Sequence, residues 1–145
     1  MTLAQSVGWF ALTLTCAAAV WRGGRPEQLG GLFAAVAWIV TPFVEFRESW
    51  YQPQFGIFAV DVAVLVGLIV LAIVYGRCWT ICATAYQAIM VMTHLAFLIN
   101  PEALYRAYLF GNFSIGFLVL GAILGGVVFE SDQSPFRLGA AGGGA

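Results

Sequence analysis

The sequence predicts an all-α integral membrane protein, a helical bundle with about five transmembrane helices. The first observation is composition, because 61% of the 145 residues are hydrophobic, whereas a soluble domain has about 45–50%. The second is charge: only 9% of the residues are charged, against about 25% in a soluble domain, so a soluble globule could not cover its surface. The third is that the apolar residues fall into stretches near the ~20 residues that cross a bilayer as a helix.

Five such stretches define the predicted helices in chain order. Polar, turn-rich segments separate them at residues 22–27 and 48–53, and Asn100 caps the last helix, which has a proline in its first turn. The first stretch lacks the basic segment of a signal peptide, so we expect a retained span. Strands are excluded because the apolar runs do not alternate with polar residues. The predicted helices cover residues 2–21, 29–46, 56–76, 79–99 and 101–129.

The chain divides into two parts of different composition. We expect residues 1–130 to form the transmembrane helical bundle. Residues 131–145 form a C-terminal tail rich in glycine and alanine, and such a segment is expected to be disordered on its own.

Arginine positions predict the orientation of the bundle. Five crossings place four arginines on one side (Arg22, Arg25, Arg77 and Arg137) and two on the other (Arg47 and Arg106). The positive-inside rule then puts the C-terminus in the cytoplasm and the N-terminus outside. Aromatic belts are expected at both interfaces: Trp21 and Trp79 at the inner one, and Trp50, Tyr51, Tyr105 and Tyr108 at the outer one.

Small residues recur on one face of each predicted helix. In lipid such faces permit close helix approach, which association requires. In the fifth helix the predicted packing residues are Gly111, Ser114, Gly121 and Gly125. Two uses of these faces stay open: packing within the chain, which we favour, and association with another subunit or a second copy.

Four ionisable side chains are predicted to lie at a similar depth, near the outer membrane face. They are Glu45, Asp61, His94 and Arg106, each close to the same end of its helix when successive crossings alternate. A charge in hydrocarbon costs about 2.5–3.5 kcal/mol even on lenient scales, so we expect at least two of them to be in contact. They form either an ion-paired network that fixes helix register or a ligand or ion site.

The fourth helix carries a polar face predicted to point into the bundle. Thr80, Thr84 and Gln87 share this face with His94. A proton pump or full proton channel is disfavoured, because the inner halves of the third and fifth helices, residues 62–73 and 118–128, are wholly apolar.

Cofactor and enzymatic roles find little support in the sequence. The single histidine, His94, supplies at most one axial haem ligand, which leaves haem as a minor alternative to no cofactor. Cys78 and Cys82 are too few for a zinc site, so we predict no metal. No catalytic motif appears, so we expect no enzyme. A net charge of -1 without lysine argues against nucleic-acid binding.

A set of short motifs resembles uncharacterised small multi-helix membrane proteins of alphaproteobacteria. The motifs run from Trp21-Arg22-Gly23-Gly24-Arg25-Pro26-Glu27 through Asp61, Arg77-x-Trp79 and Gln87 to His94-Leu95-Ala96 and Asn100-Pro101. The resemblance implies a bacterial cytoplasmic (inner) membrane and brings no activity or site assignment.

The sequence therefore predicts one of two functions. The favoured expectation is a non-enzymatic accessory or scaffold protein that packs in the bilayer with other membrane subunits or with itself. The alternative is a small transporter, channel or ligand-binding protein with an outward-facing pocket lined by Glu45, Asp61, Gln87 and His94.

Overall fold

Five α-helices make up the regular structure of the described chain, so the predicted all-α fold is confirmed. The computed structural model describes residues 3–44, 54–99 and 101–129, with the backbone alone at residues 3, 4, 101–107 and 109. The tail predicted at 131–145 lies outside the described residues. The helices are α1 (Leu3–Arg22), α2 (Arg25–Val44), α3 (Phe55–Tyr75), α4 (Cys78–Ile99) and α5 (Pro101–Phe129).

The helices form a closed ring in chain order. Each helix packs against the next, α5 returns to α1, and α2 also contacts α5 across the ring. Connections of two residues join α1 to α2 and α3 to α4, and such short links make neighbours antiparallel. The second link begins at Gly76, whose φ of 58° is the left-handed conformation that favours glycine. Its N–H donates to the carbonyl of Ala72 at 2.9 Å and ends α3.

Four of the five helices are long and apolar enough to cross a membrane. They are α2, α3, α4 and the Phe110–Phe129 part of α5. The 20-residue α1 is not among the four. Large apolar side chains cover the outside of the bundle, including Phe10, Phe43, Ile73 and Ile99, each more than 70% exposed. An apolar surface of this extent is typical of a lipid-facing exterior.

The second helix begins four residues earlier than predicted, at Arg25 rather than Leu29. Its first turn is closed by Glu27, whose Oε2 accepts the N–H of Gly24 at 2.8 Å, the acidic half of a capping box. The predicted polar break at 22–27 therefore shrinks to Gly23 and Gly24. Proline at position 26 fits the same turn, since the first helical N–H groups need no intrahelical partner.

Aromatic rings, rather than neighbouring backbones, occupy the space beside several predicted small-residue faces. A Cβ placed on Gly8 would lie 2.5 Å from the ring of Trp38, and one on Gly67 would lie 2.8 Å from the ring of Phe33. The glycines thus give α1 and α3 close contact with α2 by admitting a bulky ring, which buries more apolar surface than two small residues could.

Trp79 joins three helices at the end of the bundle that holds the α1–α2 link. Its ring lies against Gly30 of α2 and Gly126 of α5, leaving no room for a Cβ at either position. The side chain is 4% exposed and belongs to the main apolar core. The prediction that Trp79 belongs to an interfacial belt is therefore wrong, because these two glycines create a slot that takes the indole inside. Trp21, by contrast, is 89% exposed.

Candidate functional site

A buried polar network connects α3 and α4 in the half of the bundle that holds the start of α3 and the end of α4. Asp61 is the one polar side chain of α3 before Tyr75, the last residue of the helix. Its Oδ2 lies 2.8 Å from Nε2 of His94. Its Oδ1 accepts a hydrogen bond from the Nε2 amide of Gln87 at 3.0 Å, and the same amide reaches the Asp61 carbonyl at 3.2 Å. All three residues are buried, with exposed fractions of 9%, 3% and 4% for Asp61, Gln87 and His94.

The network continues from His94 into α5. The hydroxyl of Tyr108 lies 3.2 Å from Nδ1 of His94, and the Tyr108 ring stacks on Phe97 with centroids 4.7 Å apart. Phe58 of α3 packs edge-on against the imidazole. Both nitrogens of His94 are therefore engaged, and aromatic rings hold the imidazole plane in place. The prediction that Tyr108 belongs to an outer aromatic belt is wrong, since its hydroxyl finds a buried partner inside the bundle.

A cavity of about 310 Å³ has Asp61 in its wall. All five helices contribute to its wall, and it occupies the half of the bundle that holds the start of α1. Most of the wall is apolar, with Trp9, Trp38 and Phe113 as its aromatic members. The polar members are Gln5, Thr41, Asp61, Gln87 and Asn112. A mostly apolar cavity with a few convergent polar groups has the make-up of a small-molecule site.

A second buried network closes the opposite end of the bundle. Glu27 is completely buried, and its Oε1 accepts hydrogen bonds from Nη1 of Arg77 at 2.9 Å and from Nε1 of Trp79 at 2.8 Å. Together with the N–H of Gly24, three donors satisfy this carboxylate. Charge-assisted bonds of this kind are about twice as strong as neutral ones. The network ties the α1–α2 link to the start of α4.

The structure describes the side chains of two of the four residues in the predicted polar layer, Asp61 and His94. Asp61 and His94 are in direct contact. Glu45 and the side chain of Arg106 lie outside the described residues, so their predicted participation stays a prediction. Within the parts of the chain that the structure describes, every buried side-chain nitrogen or oxygen has a hydrogen-bond partner. The Asp61 network is thus self-consistent without them.

The polar face predicted on α4 splits into separate contacts. Thr80 is completely buried, and its hydroxyl donates to the carbonyl of Arg77 at 2.7 Å. Thr84 is half-buried and donates to the carbonyl of Thr80 at 2.7 Å. Gln87 reaches Asp61 on α3. The two threonines therefore bond to backbone of their own segment, while Gln87 and His94 make the interhelical contacts.

The predicted packing residues of α5 lie mainly away from the other helices. Within the described part of the chain, a Cβ placed on Gly121 or Gly125 would meet no neighbouring group within 4 Å, and one placed on Gly111 would meet a methyl of Thr93 at 4.0 Å and nothing closer. Ser114 is exposed. The close contact of this helix is made by the adjacent Gly126 instead. Of the two predicted glycines, Gly125 lies one position away from Gly126, the glycine that the core uses.

Metal and haem ligation find no built site in the described residues. Across residues 5–44, 54–99 and the described side chains of α5, no group of three or more His, Cys, Asp or Glu could hold a metal ion. Haem ligation by His94 would require breaking its contact with Asp61 or with Tyr108.

Glu27 and Tyr108 are among the buried polar residues that the sequence analysis did not identify, and Arg77, whose side chain is 13% exposed, was not identified as the partner of Glu27. A signal existed for Glu27: it stands three residues after Gly24 at a helix start, the position of the acid in a capping box. Arg77 and Tyr108 had no comparable local signal, because the partner of each lies on another helix. The arginine count placed Arg77 on the inner side, and the aromatic-belt pattern placed Tyr108 at the outer interface.

Fold and site together define an all-helical bundle in which four helices are able to cross a membrane and an acid, an imidazole and an amide meet beside a central cavity. No protein-family model, curated protein or solved structure matches the chain.

Proposed function

We propose that this chain is a non-enzymatic protein of the bacterial inner membrane, with five spans and a cytoplasmic C-terminus, that binds a small molecule in its central cavity. The observation that carries the binding role is the cavity of about 310 Å³ with the Asp61 carboxylate and the Gln87 amide in its wall. A transporter or channel would use the same site, so small-molecule binding is the property that these functions share.

The membrane part of the proposal rests on the lengths and surfaces of the helices. Four helices qualify as spans by length and composition. The fifth, α1, has 20 residues, about 30 Å of helix at 1.5 Å per residue, and it packs side by side with α2 and α5. This side-by-side packing supports α1 as a fifth span. The arginine distribution supplies the orientation, and the resemblance to alphaproteobacterial proteins supplies the compartment.

The depth of the cavity supports an outward-facing pocket. Its wall includes Gln5 near the start of α1 and Thr41 and Pro42 near the end of α2. With the C-terminus in the cytoplasm, these helix ends face the outside. At the other end, the buried Glu27 network and the ring of Trp79 fill the bundle. A pocket that opens on one side fits binding better than a continuous pore.

The outer face of α5 favours a second candidate function, that of an accessory or scaffold subunit. Gly121 and Gly125 border a surface groove of about 380 Å³ between α4 and α5, and no described part of another helix lies within 4 Å of a Cβ placed on either glycine. Glycines at this spacing permit close approach of another helix in lipid. The partner would be a different membrane protein or a second copy.

One experiment with a matched pair of variants tests both candidates. Gly116 lines the cavity, whereas Gly121 lies on the outer face of the same helix. Gly116→Leu fills the cavity, and Gly121→Leu obstructs the groove. The protein and both variants are extracted from membranes in mild detergent and analysed by native mass spectrometry.

Small-molecule binding predicts a low-mass adduct on the wild type and on Gly121→Leu that is lost from Gly116→Leu. An adduct that is absent from the wild type, or equal on all three proteins, contradicts the binding role. The accessory role predicts a co-extracted protein or second copy that Gly121→Leu loses and Gly116→Leu keeps. A wild type that is monomeric and alone contradicts the accessory role.

A further inference from the structure

We propose that the central cavity selects a small organic ammonium ion, meaning a protonated or quaternary amine. This inference rests on the small-molecule site proposed above and names the chemistry of its ligand. Three features carry it: the charge of Asp61 in the cavity wall, the hydrogen bonds that hold the Asp61 carboxylate, and the aromatic rings in the same wall.

Among the described residues that line the cavity, Asp61 is the one with a formal charge. No arginine is among these described lining residues, and Arg77 is paired with Glu27 at the other end of the bundle. In this described part of the wall, an anionic ligand would meet a carboxylate with no cation to offset it. A cationic ligand would gain a charge partner in surroundings of low dielectric, where such a pair is stronger than in water.

The partners of Asp61 can hold its carboxylate without neutralising it. The Nε2 amide of Gln87 carries no charge and donates to Oδ1. Nε2 of His94 lies 2.8 Å from Oδ2, and the Tyr108 hydroxyl lies 3.2 Å from Nδ1. One neutral tautomer of the imidazole satisfies both contacts, with Nε2–H donating to Asp61 and Nδ1 accepting from Tyr108. In that tautomer both partners fix the position of the carboxylate without adding a positive charge. A carboxylate held this way can accept a further N–H from a ligand, because it has about four lone-pair directions.

Aromatic rings supply the rest of an ammonium site. Trp9 and Trp38 both line the cavity, with ring centroids 5.8 Å apart and planes at 76°. Two rings at nearly a right angle form a corner, and Phe113 lines the same space. Aromatic faces attract ammonium groups, and cages of such rings bind quaternary ammonium ligands. The volume of about 310 Å³ lies at the small end of ligand sites, so the ligand is a small one.

Two sources could supply an ammonium group, a free amine and the headgroup of a lipid. The test therefore uses protein in a maltoside detergent, which carries no ammonium, and in nanodiscs of phosphatidylglycerol with or without phosphatidylethanolamine. If phosphatidylethanolamine competes with the added amine, the headgroup is the source of the ammonium. If it does not, the ligand is a free amine. Either result keeps the ammonium selectivity.

The probes are two ammonium ions with neutral partners of the same shape. Choline is paired with 3,3-dimethyl-1-butanol, and benzylamine with benzyl alcohol, while 3,3-dimethylbutanoate supplies an anion. Binding is measured as a saturable rise in the thermal unfolding midpoint of the full chain. We expect at least one ammonium to bind about tenfold or more tightly than its neutral partner, with no response to the anion. Asp61→Asn should remove most of that preference.

The comparison of each ammonium probe with its neutral partner is made on the wild type, so it does not require any variant to fold. Gly116→Leu should abolish the ammonium response, while Gly121→Leu should leave it unchanged. Equal binding of the ammonium and neutral probes overturns the ammonium inference but leaves the small-molecule site standing. Failure of both ammonium ions to bind, or tighter binding of the anion, also overturns it. Loss of the native adduct itself is judged by the mass-spectrometric experiment above.

Discussion

Removal of the Glu27 carboxylate should destabilise the bundle more than any other single change at its closed end. In Glu27→Ala, Arg77 loses its ion-pair partner and the N–H groups of Trp79 and Gly24 lose their acceptor. Breaking one side of a buried ion pair costs about 3–5 kcal/mol. The Arg77 side chain is 13% exposed and can turn toward water, so the lower end applies, about 3 kcal/mol.

Intermediate variants divide this cost among its causes. Glu27→Gln keeps an oxygen for Trp79 but loses the charge and the acceptor for Gly24, so we expect about 1–2 kcal/mol. In the double variant with Arg77→Met, the free-energy losses should be smaller than the sum of the single ones by about 1–3 kcal/mol, because the two side chains share one interaction. Arg25→Ala is the matched control, since Arg25 is exposed in the same helical turn.

The assay is reversible unfolding in mixed micelles by titration with sodium dodecyl sulfate, followed by tryptophan fluorescence and helical circular dichroism. The control should stay within about 0.5 kcal/mol of the wild type. The reasoning is refuted if Glu27→Ala also stays within that margin, or if the double-variant cycle shows no coupling between positions 27 and 77.

Two further predictions use the same unfolding assay. Gly126→Ala should lower the free energy of unfolding by about 1–3 kcal/mol, because the new methyl group overlaps the ring of Trp79. Gly125→Ala has open space beside it and should be neutral or slightly stabilising. Equal effects of the two substitutions would contradict the proposed slot for the Trp79 ring. Tyr108→Phe should cost about 0.5–1.5 kcal/mol by removing the hydroxyl bonded to His94 while the ring packing stays, and no change would mean that this hydrogen bond does not form.

The sequence was sufficient to predict the helices because bilayer length and apolar composition are local properties. The α5 prediction matches Pro101–Phe129 at both ends, where asparagine, proline and an acid mark the start. The start of α2 was missed because a buried acid was assigned to a loop. Glu27 can enter the helix only because Arg77 and Trp79 come from another part of the chain, and no local pattern contains that information.

Contacts between residues of different helices were harder to predict from the sequence than the depth of each residue along its helix. Depth followed from counting residues along alternating helices, and it suggested that Asp61 and His94 share a level; in the structure they are in contact. The cavity could not be derived, because it depends on how five helices leave space between Trp38 and Asp61. Helix rotation also decided which α5 glycine packs inside, and a shift of one position exchanges Gly125 for Gly126.

The contact between Asp61 and His94 beside the cavity is the central claim, and solid-state NMR in lipid tests it most directly. His94 is the single histidine, and Asp61 is one of two aspartates, the other being Asp132. Dipolar dephasing is measured between ¹⁵N-labelled histidine and the ¹³C-labelled carboxyl carbon of aspartate. The account predicts strong dephasing of Nε2 that Asp132→Asn preserves and Asp61→Asn removes. Absence of dephasing in the wild type, or its persistence in Asp61→Asn, would contradict it.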